Sequence, residues 1–395
     1  MISDKMKEYV VGSSLIRAMF DDSKRLISIY GKENVYDFSL GNPCFPPPEE
    51  FKDTLKKIID ETDPMVVHGY MNNAGHESVR EKIAESINKK FNTDYNAGNI
   101  IMTVGAAGGL NVIFKTLINP GDEIIAFSPY FGEYDSYTAN VSAELVKVPP
   151  VLPGFEPDLE ALEKSITPKT RIVIVNSPNN PTGVVYSEET IKEIAAILRR
   201  KEVEYGLPIY IFSDEPYREL AYDGVKVPYI TKVYDDTIVG YSYSKSLSMA
   251  GERIGYLLIP DEASGADDII SAATVANRIL GFVNAPSLFQ LAIGECVDMK
   301  MDIDCYDRNR KALYGGLTDI GYECVKPEGA FYLFVKSPLA DDIEFCEKAK
   351  EFGLVLVPGT AFDCPGYIRL AYCTAYETIE KSMPQFKKLW DSVQA

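Results

Sequence analysis

Apolar positions along this chain change their spacing several times, and each change marks an element. Residues 1 to about 30 carry helical spacing and predict one amphipathic helix. The segment 36–48 reads as an extended crossing that ends in Phe45, Pro46, Pro47 and Pro48. Helical patterning resumes at 49–61 and 76–92. From there strands and helices alternate. Asn99–Val104 is a short apolar strand followed by a glycine-rich turn and a helix through Leu117. Further strands are predicted at Glu123–Phe127, Arg171–Val175, Ile209–Phe212, Thr237–Tyr241 and Gly255–Ile259, with a charged helix over 188–204. Short β-branched strands alternating with helices predict an α/β fold whose mostly parallel sheet is covered on both faces. Beyond about 280 the pattern becomes helical and then antiparallel, with strands expected at Tyr322–Val325, Ala330–Val335, Leu354–Val357 and Tyr367–Tyr372. The expected division is a large domain over 47–279 and a smaller α+β domain built from 1–46 and 280–395.

Composition narrows the class. At 395 residues the chain fits one large domain and one smaller one. A net charge of −18 argues against nucleic acid or an anionic membrane as partner. The seven cysteines are odd in number and form no Cys-x-x-Cys pair, so neither a disulfide framework nor a zinc site is expected. Cys44 reads as buried filler. Charged residues interrupt the first twenty positions, and no apolar run is long enough to span a bilayer, so a cytoplasmic protein is expected. Two histidines, His68 and His76, leave little for histidine-based proton transfer or for a metal site.

The chemistry gathers at the carboxyl ends of the predicted strands, where open α/β sheets bind ligands. After Thr237–Tyr241 come Ser242, Ser244, Lys245 and, eight residues on, Arg253. A lysine at its reference pKa of about 10.4 needs roughly 4.6 kcal/mol to reach neutrality at pH 7. A carbonyl cofactor that captures the amine as a Schiff base avoids much of that cost. The hydroxyls and the guanidinium beside it are donors that suit a phosphate. An imine-forming lysine with a phosphate cradle points to pyridoxal phosphate. The other strand ends supply an anion cradle at Gly105–Gly109, an amide run at Asn176–Gly183, and a carboxylate with a phenol at Asp214 and Tyr217. Singly, each is an ordinary turn, cap or ion pair; in this order, at successive strand ends, they form a set.

In that combination the chain resembles the class I/II aminotransferases, the fold-type-I family of pyridoxal phosphate enzymes. The motifs are Asn180–Gly183 (NPTG), Asp214–Tyr217 (DEPY) and Ser242–Lys245 (SYSK), with Arg253 following, and the likeness runs from Gly41 to Arg369. The resemblance implies that Lys245 forms the cofactor imine and then shuttles a proton. It also implies that Asp214 pairs with the pyridinium nitrogen, and that Tyr217 and Asn180 donate to the ring 3-oxygen. Phe131 would stack on the ring. The amides of Gly105, Ala106 and Ala107, with Ser242, Ser244 and Arg253, would hold the phosphate, joined by Tyr70 from the partner of a homodimer. Arg369 would clamp the substrate α-carboxylate, helped by Gly41 and Asn180. The reaction implied is transfer of an amino group between an L-amino acid, aspartate favoured, and 2-oxoglutarate. A C–S β-lyase on the same fold is the alternative, and a non-catalytic cofactor-sensing domain a more distant one. Ala107 stands where some relatives carry a lysine that reads the distal carboxylate. Arg278 lies near where others place an arginine for that job, without a clean match. Arg17 reads as a surface residue.

Overall fold

The structure is a computed structural model that describes residues 2–12 and 14–394, apart from the side chains of 8 and 11–21. Its centre is a seven-stranded sheet. The strands in chain order are β1 (Ile100–Thr103), β2 (Glu123–Phe127), β3 (Glu144–Val148), β4 (Thr170–Asn176), β5 (Tyr210–Asp214), β6 (Thr237–Ser242) and β7 (Gly255–Leu258). Their spatial order is β1-β7-β6-β5-β4-β2-β3. Every neighbouring pair is parallel except those made by β7, which runs antiparallel to β1 and β6. All residues of β1, β2, β5, β6 and β7 are buried. That is why those strands read as continuous apolar runs: helices cover both faces, and neither face meets water.

The register sets the site. Asn176 at the end of β4 pairs with Asp214 at the end of β5, and Asp214 pairs with Gly240 near the end of β6. Functional groups from three strands therefore finish side by side. The helix Gly105–Leu117 leaves the end of β1 and packs against the helix Ala266–Ile279.

The C-terminal portion holds a second sheet of β8 (Tyr332–Lys336), β9 (Val357–Pro358) and β10 (Tyr367–Ala371), antiparallel in the order β8-β10-β9. Its core gathers Phe38, Phe331, Phe345, Tyr372 and Phe386. The N-terminal segment belongs to this portion. Tyr36–Asp37 pairs in parallel with Leu354–Val355, Leu26 packs with Val35 and Val355, and Asp22 bonds Lys350 at 2.5 Å.

The helix expected over 1–30 is present at Asp4–Gly12 and Ser14–Tyr30, residue 13 lying outside the described residues. Several expectations give way here. Gly105 opens its helix directly, with no separate glycine-rich turn. The strand β3 was not expected: it is the sheet edge, half exposed, and Glu144 and Lys147 break its apolar run. Tyr322–Val325 forms only a single bridge, Cys324 to Val335. Leu354–Val357 divides in two, one half pairing with the N-terminal segment and the other with β10. No helix among the described residues is long and apolar enough to cross a membrane.

Candidate active site

Lys245 sits in a single helical turn, Tyr243–Ser246, that begins where β6 ends. The Ser242 side chain caps that turn by accepting from the Ser244 N–H at 3.2 Å, and its hydroxyl donates to the Ser244 hydroxyl at 2.7 Å. Lys245 Nζ donates to the Gly41 carbonyl at 2.6 Å and lies 5.3 Å from the centre of the Phe331 ring. Burial pulls its pKa down to about 8; the Cys373 thiol opposes the shift, and the Arg369 and Arg253 charges reinforce it.

Asp214 is buried at the end of β5. Its Oδ2 accepts from the Tyr134 hydroxyl at 2.5 Å and from Asn176 Nδ2 at 3.4 Å, and the same amide donates to the Asp214 carbonyl at 3.0 Å. Burial pushes the carboxyl up to about 7; the Tyr134 hydrogen bond works against that, and Glu215 adds to it. The other oxygen, Oδ1, is buried with no hydrogen-bond partner among the described residues. An orphaned carboxylate oxygen in a low-dielectric site calls for a cationic N–H donor.

Arg369, on β10, is the second such group. Its Nη1 donates to Asn180 Oδ1 at 3.1 Å and its Nη2 to the Ser39 carbonyl at 2.7 Å, while Nε is buried without a partner among the described residues. The guanidinium is held between the rings of Tyr332 and Phe362, 4.5 and 4.6 Å from their centres. Tyr217 lies beside it, its hydroxyl 3.0 Å from that of Tyr332.

The cradle at the other end of the crevice is a helix start. Val104 gives the helix Gly105–Leu117 no side-chain cap, so the first-turn N–H groups, including those of Ala106 and Ala107, are free to meet an anion. Gly105 has φ +67°, and a Cβ there would lie 3.1 Å from Arg253 Nη2, so the backbone and the guanidinium face one small space. Phe131 is half-buried, with its ring edge-on to Tyr134 at 5.7 Å between centres.

The structure thus brings together Gly41, Asn180, Lys245 and Arg369, and separately Gly105 with Arg253. Tyr70 stands apart, 95% exposed. Arg278 is exposed in the last turn of its helix, and the Arg17 side chain lies outside the described residues. Cys44, expected as filler, is exposed: the segment after Gly41 runs along the surface, with Sγ 3.5 Å from the Thr374 carbonyl. Tyr134, Asn176, Ser39 and Tyr332 were not singled out from the sequence. Asn176 was within reach, since it ends the strand adjacent to that of Asp214. Tyr134 carries no local signal, being eighty residues from its partner.

With this geometry in place, the class of protein follows. The "Aminotransferase class I and II" family profile matches residues 33–382, and the chain belongs to that family. Its relatives within the family include aspartate aminotransferases. The chain is 34% identical over 403 residues to a probable aspartate aminotransferase of Methanocaldococcus jannaschii, covering 99% of this chain and 100% of that protein. It is 32% identical over 357 residues to the aspartate/prephenate aminotransferase of Thermus thermophilus, covering 89% and 90%. A crystal structure of an aminotransferase from Eubacterium rectale superposes with a TM-score of 0.96 at 48% identity, covering both chains in full.

Proposed function

We propose that the chain binds pyridoxal phosphate on Lys245 and moves amino groups from aspartate to 2-oxoglutarate. The observation that carries the cofactor is Asp214 Oδ1, a buried carboxylate oxygen without a donor among the described residues, at the strand end next to that of Lys245. A protonated ring nitrogen supplies that donor, and its charge would return the raised carboxyl pKa toward the ordinary range. When bound, the cofactor supplies an aldehyde that captures amines and a cationic ring that accepts electron density from the substrate Cα.

The remaining work falls to the chain. Asp214 keeps the ring nitrogen protonated, and Tyr134 and Asn176 fix the carboxylate plane. Tyr217 and Asn180 donate to the ring 3-oxygen in this reading; Asn180 can do so because its oxygen is committed to Arg369 and its side-chain amide nitrogen makes no hydrogen bond among the described residues. Gly105, Ala106 and Ala107 amides, with Ser242, Ser244 and Arg253, hold the phosphate, and Phe131 covers one ring face. Arg369 turns a planar pair of N–H groups to the substrate α-carboxylate, and Gly41 closes beside it. Anchoring that carboxylate fixes which Cα bond stands across the ring, so Cα–H is the bond weakened. Lys245 Nζ, depressed toward neutrality, is the base that takes that proton.

A homodimer completes the site in this proposal. Met65, Val66, Tyr70, Val275, Ile279 and Leu280 are exposed apolar residues. Their segments are tied together by Ser287 on the Val66 carbonyl, Asn284 on the Asn72 carbonyl and Asn277 on the Asn73 carbonyl. Such a patch suits a partner copy, which would receive Tyr70 at its phosphate. In the proposed division into 47–279 and 1–46 with 280–395, the helix Ser287–Cys296 packs on the first portion, against Glu49–Glu61 and Glu77–Phe91.

An amino-donor panel tests the reaction. Aspartate with 2-oxoglutarate should give oxaloacetate and glutamate in equal amounts. Release of ammonia and pyruvate from a cysteine-derived thioether, with no glutamate formed, would replace this reading by a β-lyase.

A further inference from the structure

Tyr332 touches three parts of the site that otherwise have little in common. Its hydroxyl is 3.0 Å from that of Tyr217, and its ring lies under the Arg369 guanidinium at 4.5 Å. A Cβ on Gly41 would collide with the same hydroxyl, so the segment whose carbonyl holds Lys245 passes directly over it. Tyr332 is itself buried, so this arrangement is not averaged by water.

Two phenols in contact share one hydrogen bond, and each has a single proton to give. The direction of the bond therefore decides whether Tyr217 spends its proton on Tyr332 or keeps it for a ligand. The groups facing the pair set that direction. Burial disfavours charge on the Tyr332 oxygen and the Cys373 thiol adds to that, but Arg369, stacked on the Tyr332 ring, favours negative charge there, and this contact makes Tyr332 the better donor. At Tyr217 burial and the Tyr332 hydroxyl itself disfavour ionisation most; Arg369 favours it, and Asp214, three residues back at the end of β5, opposes it. The rings against Tyr217, Phe331 and Tyr332, meet it edge-on and carry no charge.

We propose that Tyr332 is a positioning residue that donates to the Tyr217 oxygen and so directs the Tyr217 proton into the crevice, toward the cofactor's 3-oxygen. This rests on the proposed cofactor role of Tyr217 and extends it by one hydrogen bond. A directed donor at that oxygen stabilises its anionic form, which lowers the pH at which the Lys245–cofactor absorption changes. Arg369 then acts at two places, holding the substrate carboxylate and polarising the phenol that aims Tyr217.

The test is a visible pH titration of the cofactor-loaded protein with Tyr332→Phe, Tyr217→Phe and the double variant. Tyr332→Phe keeps the ring under Arg369 and removes only the hydroxyl. Its midpoint should rise by about 0.5–1 unit, in the same direction as that of Tyr217→Phe. The double variant should match Tyr217→Phe alone, since there is no longer a proton to direct. The amino-donor KM of Tyr332→Phe should stay within about twofold, because the stack on Arg369 survives. An unmoved midpoint in Tyr332→Phe beside a shifted one in Tyr217→Phe would overturn the inference alone. So would additive shifts in the double variant. No shift with Tyr217→Phe would instead remove the role of Tyr217 on which the inference stands.

Discussion

Lys245 and Asp214 are displaced in opposite senses by the same cause. Burial penalises the charged form of each, bringing the amine down to about 8 and the carboxyl up to about 7. For the amine this achieves most of the fall to neutrality that a nucleophile needs. At pH 7 roughly a tenth of such an amine is neutral, about two hundred times the fraction for an unperturbed lysine. The folded amine binds its proton less tightly than the unfolded one. Neutral Lys245 therefore accumulates as pH rises through about 8, well before other lysines lose their protons. In cofactor-free protein, trinitrobenzenesulfonate should modify Lys245 with a midpoint near pH 8, followed by peptide mapping. A midpoint above pH 10 would show that the crevice does not depress this amine.

At the scale of elements, the loop after β4 joins the two portions of the chain. Asn180 bonds Arg369, and the Gly183 carbonyl accepts from the N–H groups of Glu328 and Gly329, both at 2.8 Å. Gly183 has φ +74°, and a Cβ there would lie 2.7 Å from Pro327 Cβ and 2.9 Å from the Tyr332 carbonyl oxygen. Gly183→Ala therefore combines backbone strain with a clash against fixed neighbours. It should cost about 1–3 kcal/mol of stability, read as a lower Tm, and raise the amino-donor KM by loosening Asn180. An unchanged Tm and KM would show that the loop tolerates movement there.

The same elements show what the sequence disclosed and why. The buried parallel strands were legible because both faces are covered, so β-branched runs stand out between helices. The motif at each strand end was legible because its residues are consecutive. What escaped depends on pairing between distant segments. Glu144–Val148 has an edge strand's mixed surface, Gly255–Leu258 gave no sign of its reversed direction, and Tyr134 meets Asp214 only through the fold. Tyr332 sits in an ordinary apolar run, Ala330–Val335, and nothing there marks its hydroxyl as different from its neighbours' rings.

For the molecule as a whole, a charge of −18 disfavours casual association, so the apolar surface around Met65 and Tyr70 stands out. In a two-fold interface a single substitution appears twice. On the proposed homodimer, Met65→Glu should shift the protein from dimer to monomer at micromolar concentration in sedimentation velocity, and weaken cofactor retention by withdrawing the proposed Tyr70 contact. A dimer of undiminished stability would place the interface elsewhere.

The central claim is that one buried amine, Lys245, holds an aldehyde cofactor opposite Asp214. Loading the protein with pyridoxal phosphate, reducing it with borohydride and mapping the product by mass spectrometry tests this most directly. A single pyridoxyl-phosphate adduct on the peptide that contains Lys245, absent in Lys245→Ala, is the predicted result. An adduct on another lysine, or none at all, would contradict it.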